Sequence, residues 1–261
     1  MTSPQNHDRA AWLHGPLEHC SPPPRALPYP WRLVLLGPPG VGKGTQAAFL
    51  TQELGACHLS TGDVFRAAKN SGHHGQSPAM TAAVAFMNRG DLVPDEIVWE
   101  MIRERIGCLR CGGGFVLDGF PRTLAQADSL RKLMEKEKLQ LDAVLNFTLP
   151  EAEVVARLSG RRTCEKCKAI FHVVSQPPRH KDACDRCGSN LYQREDDRPE
   201  SIAVRLKAYD RSTSPLIEFY KNRGLLVTIT ASGSPQEIFQ RTLSALQGRR
   251  KTQLAAHKIR A

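Results

Sequence analysis

Short apolar runs alternate with longer stretches in which apolar residues recur at helical spacing, and this rhythm covers most of the chain. The runs predict strands at 32–36, 57–59, 114–118, 143–147 and 225–229, apolar enough to be buried on both faces. Between them the pattern predicts helices at Thr45–Leu54, Gly62–Asn70, Pro78–Asn88, Pro94–Ile106, Leu124–Lys138, Pro150–Leu158, Pro199–Tyr220 and Pro235–Leu246. Several open at Pro or just after Asp or Thr, good first-turn residues. Strand and helix in alternation predict an α/β protein: a parallel five-stranded sheet covered by helices on both sides, three layers in all.

Length adds little more than scale. With 261 residues, 41% of them apolar, one good core forms and one or two small inserted modules are affordable. No apolar run approaches the ~20 residues that span a bilayer, and no signal-peptide core is visible, so a soluble, cytoplasmic chain with no membrane partner is expected. Residues 1–30 hold seven of the eighteen prolines and are expected to be a disordered or extended front. Arg9 and Arg25 there are balanced by Asp8 and Glu18, unlike an acid-poor transit peptide, and His7, His14 and His19 are assigned no role. The net charge of +10 points to anionic partners without choosing among nucleotides, nucleic acid and a membrane surface. Part of it is local to 247–261, where Arg249, Arg250, Lys251, Lys258 and Arg260 stand without an acid and predict a solvated, frayed tail.

The first candidate chemistry follows the strand at 32–36. Gly37-Pro38-Pro39-Gly40-Val41-Gly42-Lys43-Gly44-Thr45 fits the phosphate cradle G-x-x-x-x-G-K-[ST], in which glycines let successive N–H groups face an anion. The helix after it adds its positive end. Lys43 is placed to reach β- and γ-phosphates, and the Thr45 hydroxyl can serve a phosphate or a Mg2+ shell. A Gly-rich turn before a helix is the plainer alternative; the strand before and helix after argue against it.

Cys164-Glu-Lys-Cys167 and Cys184-Asp-Arg-Cys187 form the second signal. Two C-x-x-C knuckles can hold one zinc ion, or iron in a zinc-like site, with four thiolates at about 2.3 Å and no open position for chemistry. A pair of disulfides is the competing reading, disfavoured in a cytosolic chain. Cys108-Leu-Arg-Cys111 has no partner pair nearby and reads as helix-end cysteines. The third signal is a set of arginines, Arg157, Arg161, Arg162, Arg194, Arg198 and Arg205, flanking the cysteine module. Arginine makes bidentate, permanently charged contacts to phosphate, although single exposed arginines are more often ion-paired surface, the reading kept for Arg162 and Arg198.

Three further segments give the chain a resemblance to the adenylate kinases. The cradle continues as Gly44-Thr45-Gln46, Leu59-Ser60-Thr61-Gly62-Asp63 with Arg66 looks like the family's nucleoside-monophosphate segment, and Asp118-Gly119-Phe120-Pro121-Arg122 looks like its D-G-[FY]-P-R signature. The resemblance runs from about 31 to 246 and implies a core (31–59, 94–159, 198–246), an AMP-binding flap (60–93) and a long, zinc-bearing lid (160–197), between the front extension and the basic tail (247–261). It implies AMP contacts from Thr61, Arg66, Met87, Leu92, Val93, Gly119, Arg122 and Gln126, with Gln126 on the adenine edge. For ATP it implies Gly40, Val41, Gly42, Lys43, Gly44 and Thr45, with Arg157 on the adenine, Arg161 on the phosphates, and Phe171 and His172 near the base. Arg194 and Arg205 would gather round the transferred group, Lys43, Arg122, Arg161, Arg194 and Arg205 would carry catalysis, and Asp118 would hold waters of the Mg2+ shell. Asp196 and Asp197 would fix these arginines or the lid hinge.

The reaction implied is reversible phosphoryl transfer from Mg-ATP to AMP giving two ADP, by a monomer that binds nucleotides and no nucleic acid. Sister specificities, GTP as donor or UMP and CMP as acceptors, stay open at this stage. So does a zinc-ribbon nucleic-acid-binding ATPase, against which the 6% aromatic content argues.

Overall fold

The computed structural model describes residues 29–62, 81–83, 93–103, 109 and 113–260, the last eight as helix backbone. Five parallel strands, β1 (Trp31–Leu36), β2 (Cys57–Ser60), β3 (Gly114–Asp118), β4 (Ala143–Thr148) and β8 (Leu226–Thr230), form one sheet in the order β2-β3-β1-β4-β8. Helices cover both faces, as the alternation predicted. On one face Leu59, Phe115, Leu117 and Val144 pack against α2 (Asp95–Arg103), α3 (Leu124–Lys136) and α6 (Pro215–Lys221). On the other, Leu33, Leu35, Val116 and Leu145 pack against α1 (Lys43–Leu54) and α7 (Pro235–Arg260). Because the chain leaves β1 for β2 on one side and later adds β4 on the other, the carboxyl end of β1 faces a crevice between β3 and β4, where open α/β sheets bind ligands.

A second, small sheet is inserted between α4 (Glu151–Ser159) and α5 (Pro199–Ala208). Its antiparallel strands β5 (Arg161–Cys164), β6 (Ile170–His172) and β7 (Leu191–Tyr192) run in the order β6-β5-β7 around Cys164, Ala169, Phe171, Cys184 and Leu191.

Three expectations need correction. The helix predicted over Pro199–Tyr220 is broken into α5, a π-turn at Tyr209–Thr213 and α6. Pro215 lacks an N–H and its ring would crowd the carbonyl one turn back, so the ladder widens and the Ser214 N–H reaches Tyr209 O instead. The helix at Leu124 stops at Lys136, where Lys138 turns left-handed (φ 55°) and the Leu139 N–H closes on Met134 O. The tail is not frayed from 247: α7 continues to Arg260, the Arg249 guanidinium donates to Asp142 O at 2.6 Å and Gly224 O at 2.7 Å, and Arg250 lies over the Tyr29 ring. The expectations for 1–28, most of the 60–93 segment, His7, His14, His19, Arg66, Met87, Leu92, Cys108 and Cys111 lie outside the described residues. Among the described residues no helix is long and apolar enough to cross a membrane.

Candidate active site

The cradle occupies the crevice. A Cβ on Gly37 would lie 2.5 Å from Phe147 O, and one on Gly40 would strike Leu158, so both positions exclude side chains by packing. Gly42 shares their positive φ, at 101°, but the place of its missing Cβ is open space, so it is the backbone conformation that demands glycine there. It caps α1 with no side-chain cap, and no acid occupies the helix's first turn, so the positive helix end is left for an anion. Lys43 Nζ donates to Gly37 O at 2.6 Å and Pro38 O at 2.8 Å, which folds the ammonium back over the loop. Desolvation lowers its pKa to about 8; Asp118 opposes the shift, while Arg122, Arg205 and Arg161 add to it. The charges of those four groups are therefore felt at Lys43.

Asp118 ends β3, opposite Leu35 of β1 and Ser60 of β2. Just beyond it, Gly119 (φ 83°) offers its carbonyl to Thr61 Oγ1 at 2.9 Å and to Arg122 Nε at 2.7 Å. A Cβ at Gly119 would press on Thr61 and Arg122 together. Thr123 caps α3 by accepting the Gln126 N–H, as its place before the helix suggests. The Gln126 amide is engaged at both ends, with Oε1 accepting from Arg122 N at 2.7 Å and Nε2 donating to Asp95 at 2.5 Å. Asp95 also accepts from Thr123 Oγ1. Val93 packs against the core beside this network.

The arginines meet at the root of the small sheet. Asp197, fully buried, accepts from Arg161 Nε at 2.7 Å and Nη2 at 2.5 Å, a bidentate fork, and from Arg205 Nη1 at 3.1 Å. Arg205 also donates to the Asp196 carbonyl at 2.7 Å. Burial lowers the Arg205 pKa, with Asp196 opposing and Arg161 adding to the effect. Arg194 is tied to the small sheet through Thr163 Oγ1, while Arg157 bridges the Val41 carbonyl of the cradle and the Ala231 carbonyl after β8. Arg162 donates to the Ser159 and Arg161 carbonyls rather than forming the surface ion pair considered for it. His172 Nδ1 accepts the Val174 and Ser175 N–H groups and Nε2 sits 3.2 Å from Ala156 O of α4, so the ring anchors the module to that helix. Phe171 is a core residue of the small sheet at 6% exposure.

The four cysteines converge as their spacing predicted. All four Sγ atoms lie within 4.8 Å of one another, with Cys164–Cys187 at 3.4 Å and Cys167–Cys184 at 3.5 Å. These separations are too long for disulfides, and all four thiols are free. A tetrahedral zinc with bonds of about 2.3 Å needs sulfur pairs about 3.8 Å apart, so the donor set fits the ion. Burial works against a Cys164 thiolate, but the N–H groups of Cys167 and Lys166 and the Cys187 thiol outweigh it and bring its pKa to about 6. Cys167 is pushed up to about 12 by burial and by its thiol neighbours, the state a shared cation would relieve.

Sequence reasoning passed over Asp95, Thr163 and Thr213, which hold Gln126, Arg194 and the Arg122 carbonyl. Only Asp95 carried a signal, as an acid after Pro94 in a helix's first turn.

Comparison with known proteins gives one family throughout. The family model described as adenylate kinase matches residues 35–225. An adenylate kinase of Carboxydothermus hydrogenoformans is 45% identical over 216 residues, 83% of this chain and 99% of that protein. That of Streptomyces avermitilis is 46% identical over 217 residues, 83% and 97% of the two chains, and that of Thermodesulfovibrio yellowstonii 43% over 216 residues, 83% and 99%.

Proposed function

The chain belongs to the adenylate kinase family, and from that premise we propose that it transfers the γ-phosphoryl group of Mg-ATP reversibly to AMP, giving two ADP. The observation that carries this reading is the cradle at the end of β1, where the Lys43 ammonium folds over the loop carbonyls and Asp118 Oδ2 lies beside Gly44. Phosphoryl transfer asks a protein mainly to position two nucleotides and neutralise charge, which is what such a site can do. The cradle from Gly40 to Thr45 takes the ATP phosphates. Lys43 exchanges its two carbonyl partners for phosphate oxygens, and Asp197 holds Arg161 and Arg205 splayed for them. Arg157 takes the ATP adenine, with His172 anchoring the segment beside it, and Arg194 joins the transferred group. On the acceptor side Thr61, Arg66, Met87, Leu92, Val93, Gly119 and Arg122 take AMP. Gln126 reads adenine by exchanging Asp95 for the base. Among the described cradle residues there is no Ser, Cys or His to carry a covalent intermediate, which supports direct, in-line transfer.

Asp118 would hold the water shell of Mg2+, which would supply positive charge against that developing on the phosphates. Zinc on Cys164, Cys167, Cys184 and Cys187 makes 160–197 a rigid lid, substituting for a core that so few residues cannot build. This lid and the 60–93 flap close on the core once both nucleotides are present, because a transfer site open to water would waste ATP. Free thiols and a thiolate metal site suit the cytoplasm, and the enzyme works as a monomer. The test is ADP formation from Mg-ATP with AMP, GMP, UMP or CMP, alongside Lys43→Ala. Fast turnover with AMP alone, lost in the variant, is expected; equal turnover with UMP or CMP would overturn the acceptor assignment.

A further inference from the structure

Thr213 directs its hydroxyl away from its own helix. A serine or threonine inside a helix commonly returns its hydroxyl to the carbonyl one turn back, and Thr242, Thr252 and Ser214 do so, onto Ile238 O, Gly248 O and Asp210 O. Thr213 closes the π-turn, where the widened ladder gives Tyr209 O to the Ser214 N–H, and its Oγ1 donates instead to Arg122 O at 3.0 Å, 91 residues away. The main chain of Arg122 is therefore gripped on both sides, its N–H by Gln126 Oε1 at 2.7 Å and its carbonyl by Thr213. The two grips come from different elements. Gln126 belongs to α3, whereas Thr213 ends the helical stretch that begins as α5 and carries Arg205, with Ala208 and Tyr209 keeping helical dihedrals in between. Turns of this wide type recur at functional sites, and here the last residue of the turn is the one that reaches the Arg122 loop.

We propose that Thr213 is a positioning residue for Arg122: its donated hydroxyl fixes the Arg122 main chain, and with it the root of the guanidinium, in register with the α5 segment that carries Arg205. The inference rests on the reading of Arg122 as an AMP-binding group given above. A long side chain magnifies an error at its root, and a misplacement near 1 Å costs about 100-fold in rate. The bond from Thr213 lies at an exposed position, so water can take over the Arg122 carbonyl once the hydroxyl is gone. Removing the hydroxyl therefore leaves the fold in hydrogen-bond balance and disturbs the aim of Arg122.

The experiment measures steady-state kinetics with AMP varied at saturating Mg-ATP and with ATP varied at saturating AMP, together with thermal melting. The variants are T213V, which keeps the shape without the hydroxyl, T213S, which keeps the hydroxyl, and R122K. T213V is expected to lose about 10–100-fold in kcat/KM for AMP, with KM for ATP unchanged and the loss largely restored in T213S. Its Tm should stay within about 4 °C of wild type, the most that one exposed hydrogen bond moves a chain of this size. T213A serves the same purpose if T213V does not fold. Wild-type kinetics in T213V beside an impaired R122K overturns the role of Thr213 and leaves that of Arg122 standing. Wild-type AMP kinetics in R122K removes the reading of Arg122 and the inference with it. Equal loss in T213V and T213S, or a KM for ATP that rises along with that for AMP, means that packing, not the donated hydrogen, matters, and overturns the inference as well.

Discussion

Replacing Asp197 with Asn tests whether one buried carboxylate both stabilises the fold and aims the arginines. Asp197 accepts three bonds, two from Arg161 and one from Arg205. The amide keeps the shape, but it removes the charge and sets an N–H donor against a guanidinium that expects two acceptors. Breaking a buried ion pair by altering one partner costs about 3–5 kcal/mol. The lower end applies, because the arginine side chains are 15% and 30% exposed and can recover some water. At about 2–4 °C per kcal/mol for a domain of this size, a 3 kcal/mol loss lowers Tm by roughly 6–12 °C. Misaligned guanidiniums also cost rate, by about 100-fold in kcat for a displacement near 1 Å. Differential scanning calorimetry and steady-state kinetics on the same preparation read both. A Tm within about 2 °C of wild type would refute the energetic argument, given that scale, and a lowered Tm with unchanged kcat would refute the claim that Asp197 aims catalytic groups.

Other expectations follow from the same geometry. Lys43 has a pKa of about 8 in the folded chain against 10.5 as its ordinary value. Between those values the unfolded chain holds a proton that the folded one lacks, so this group's contribution to stability rises with pH across that window and its penalty is complete below about 8. Phosphate binding restores the ammonium, so calorimetric titration with ATP at mildly alkaline pH in buffers of different ionisation enthalpy should register proton uptake; heats independent of buffer would contradict this. Verified removal of zinc with a strong chelator, or Cys184→Ser, should lower Tm and speed proteolysis within 160–197 while sparing the cradle; unchanged melting would count against a structural metal. Arg249→Ala removes two carbonyl contacts, and hydrogen bonds to a charged donor are worth about 1.5–3 kcal/mol each at most, so urea unfolding should lose about 1–3 kcal/mol with activity kept; unaltered stability would return this arginine to the solvated tail.

The five strands, the cradle and the cysteine cluster were legible because each rests on local pattern: an apolar run, a fixed Gly–Lys spacing, two C-x-x-C knuckles. Asp197 was legible as an arginine partner because it sits in a charged run beside Arg194 and Arg198. What stayed hidden depends on distant chain. The Arg249 guanidinium finds its carbonyl at Asp142, 107 residues away, and nothing in a basic tail's composition announces that. Asp95 reaches Gln126 across 31 residues, so the sequence showed an amide suited to adenine but not that both its ends are already engaged. The alternation of a three-residue strand turns Phe171 into the module's core, a placement that depends on Cys184 and Leu191 further along the chain. Pro215 was visible, yet the apolar spacing on either side of it argued for one continuous helix.

The measurement closest to the central claim is a complete product count from Mg-ATP and radiolabelled AMP, following ATP, AMP, ADP and inorganic phosphate over one time course. Direct transfer inside a closed site predicts two ADP for every ATP consumed, one of them carrying the label, with no phosphate released. Inorganic phosphate appearing with the ATP lost, or ADP accumulating without label, would mean that water rather than AMP accepts the phosphoryl group, and would contradict the account.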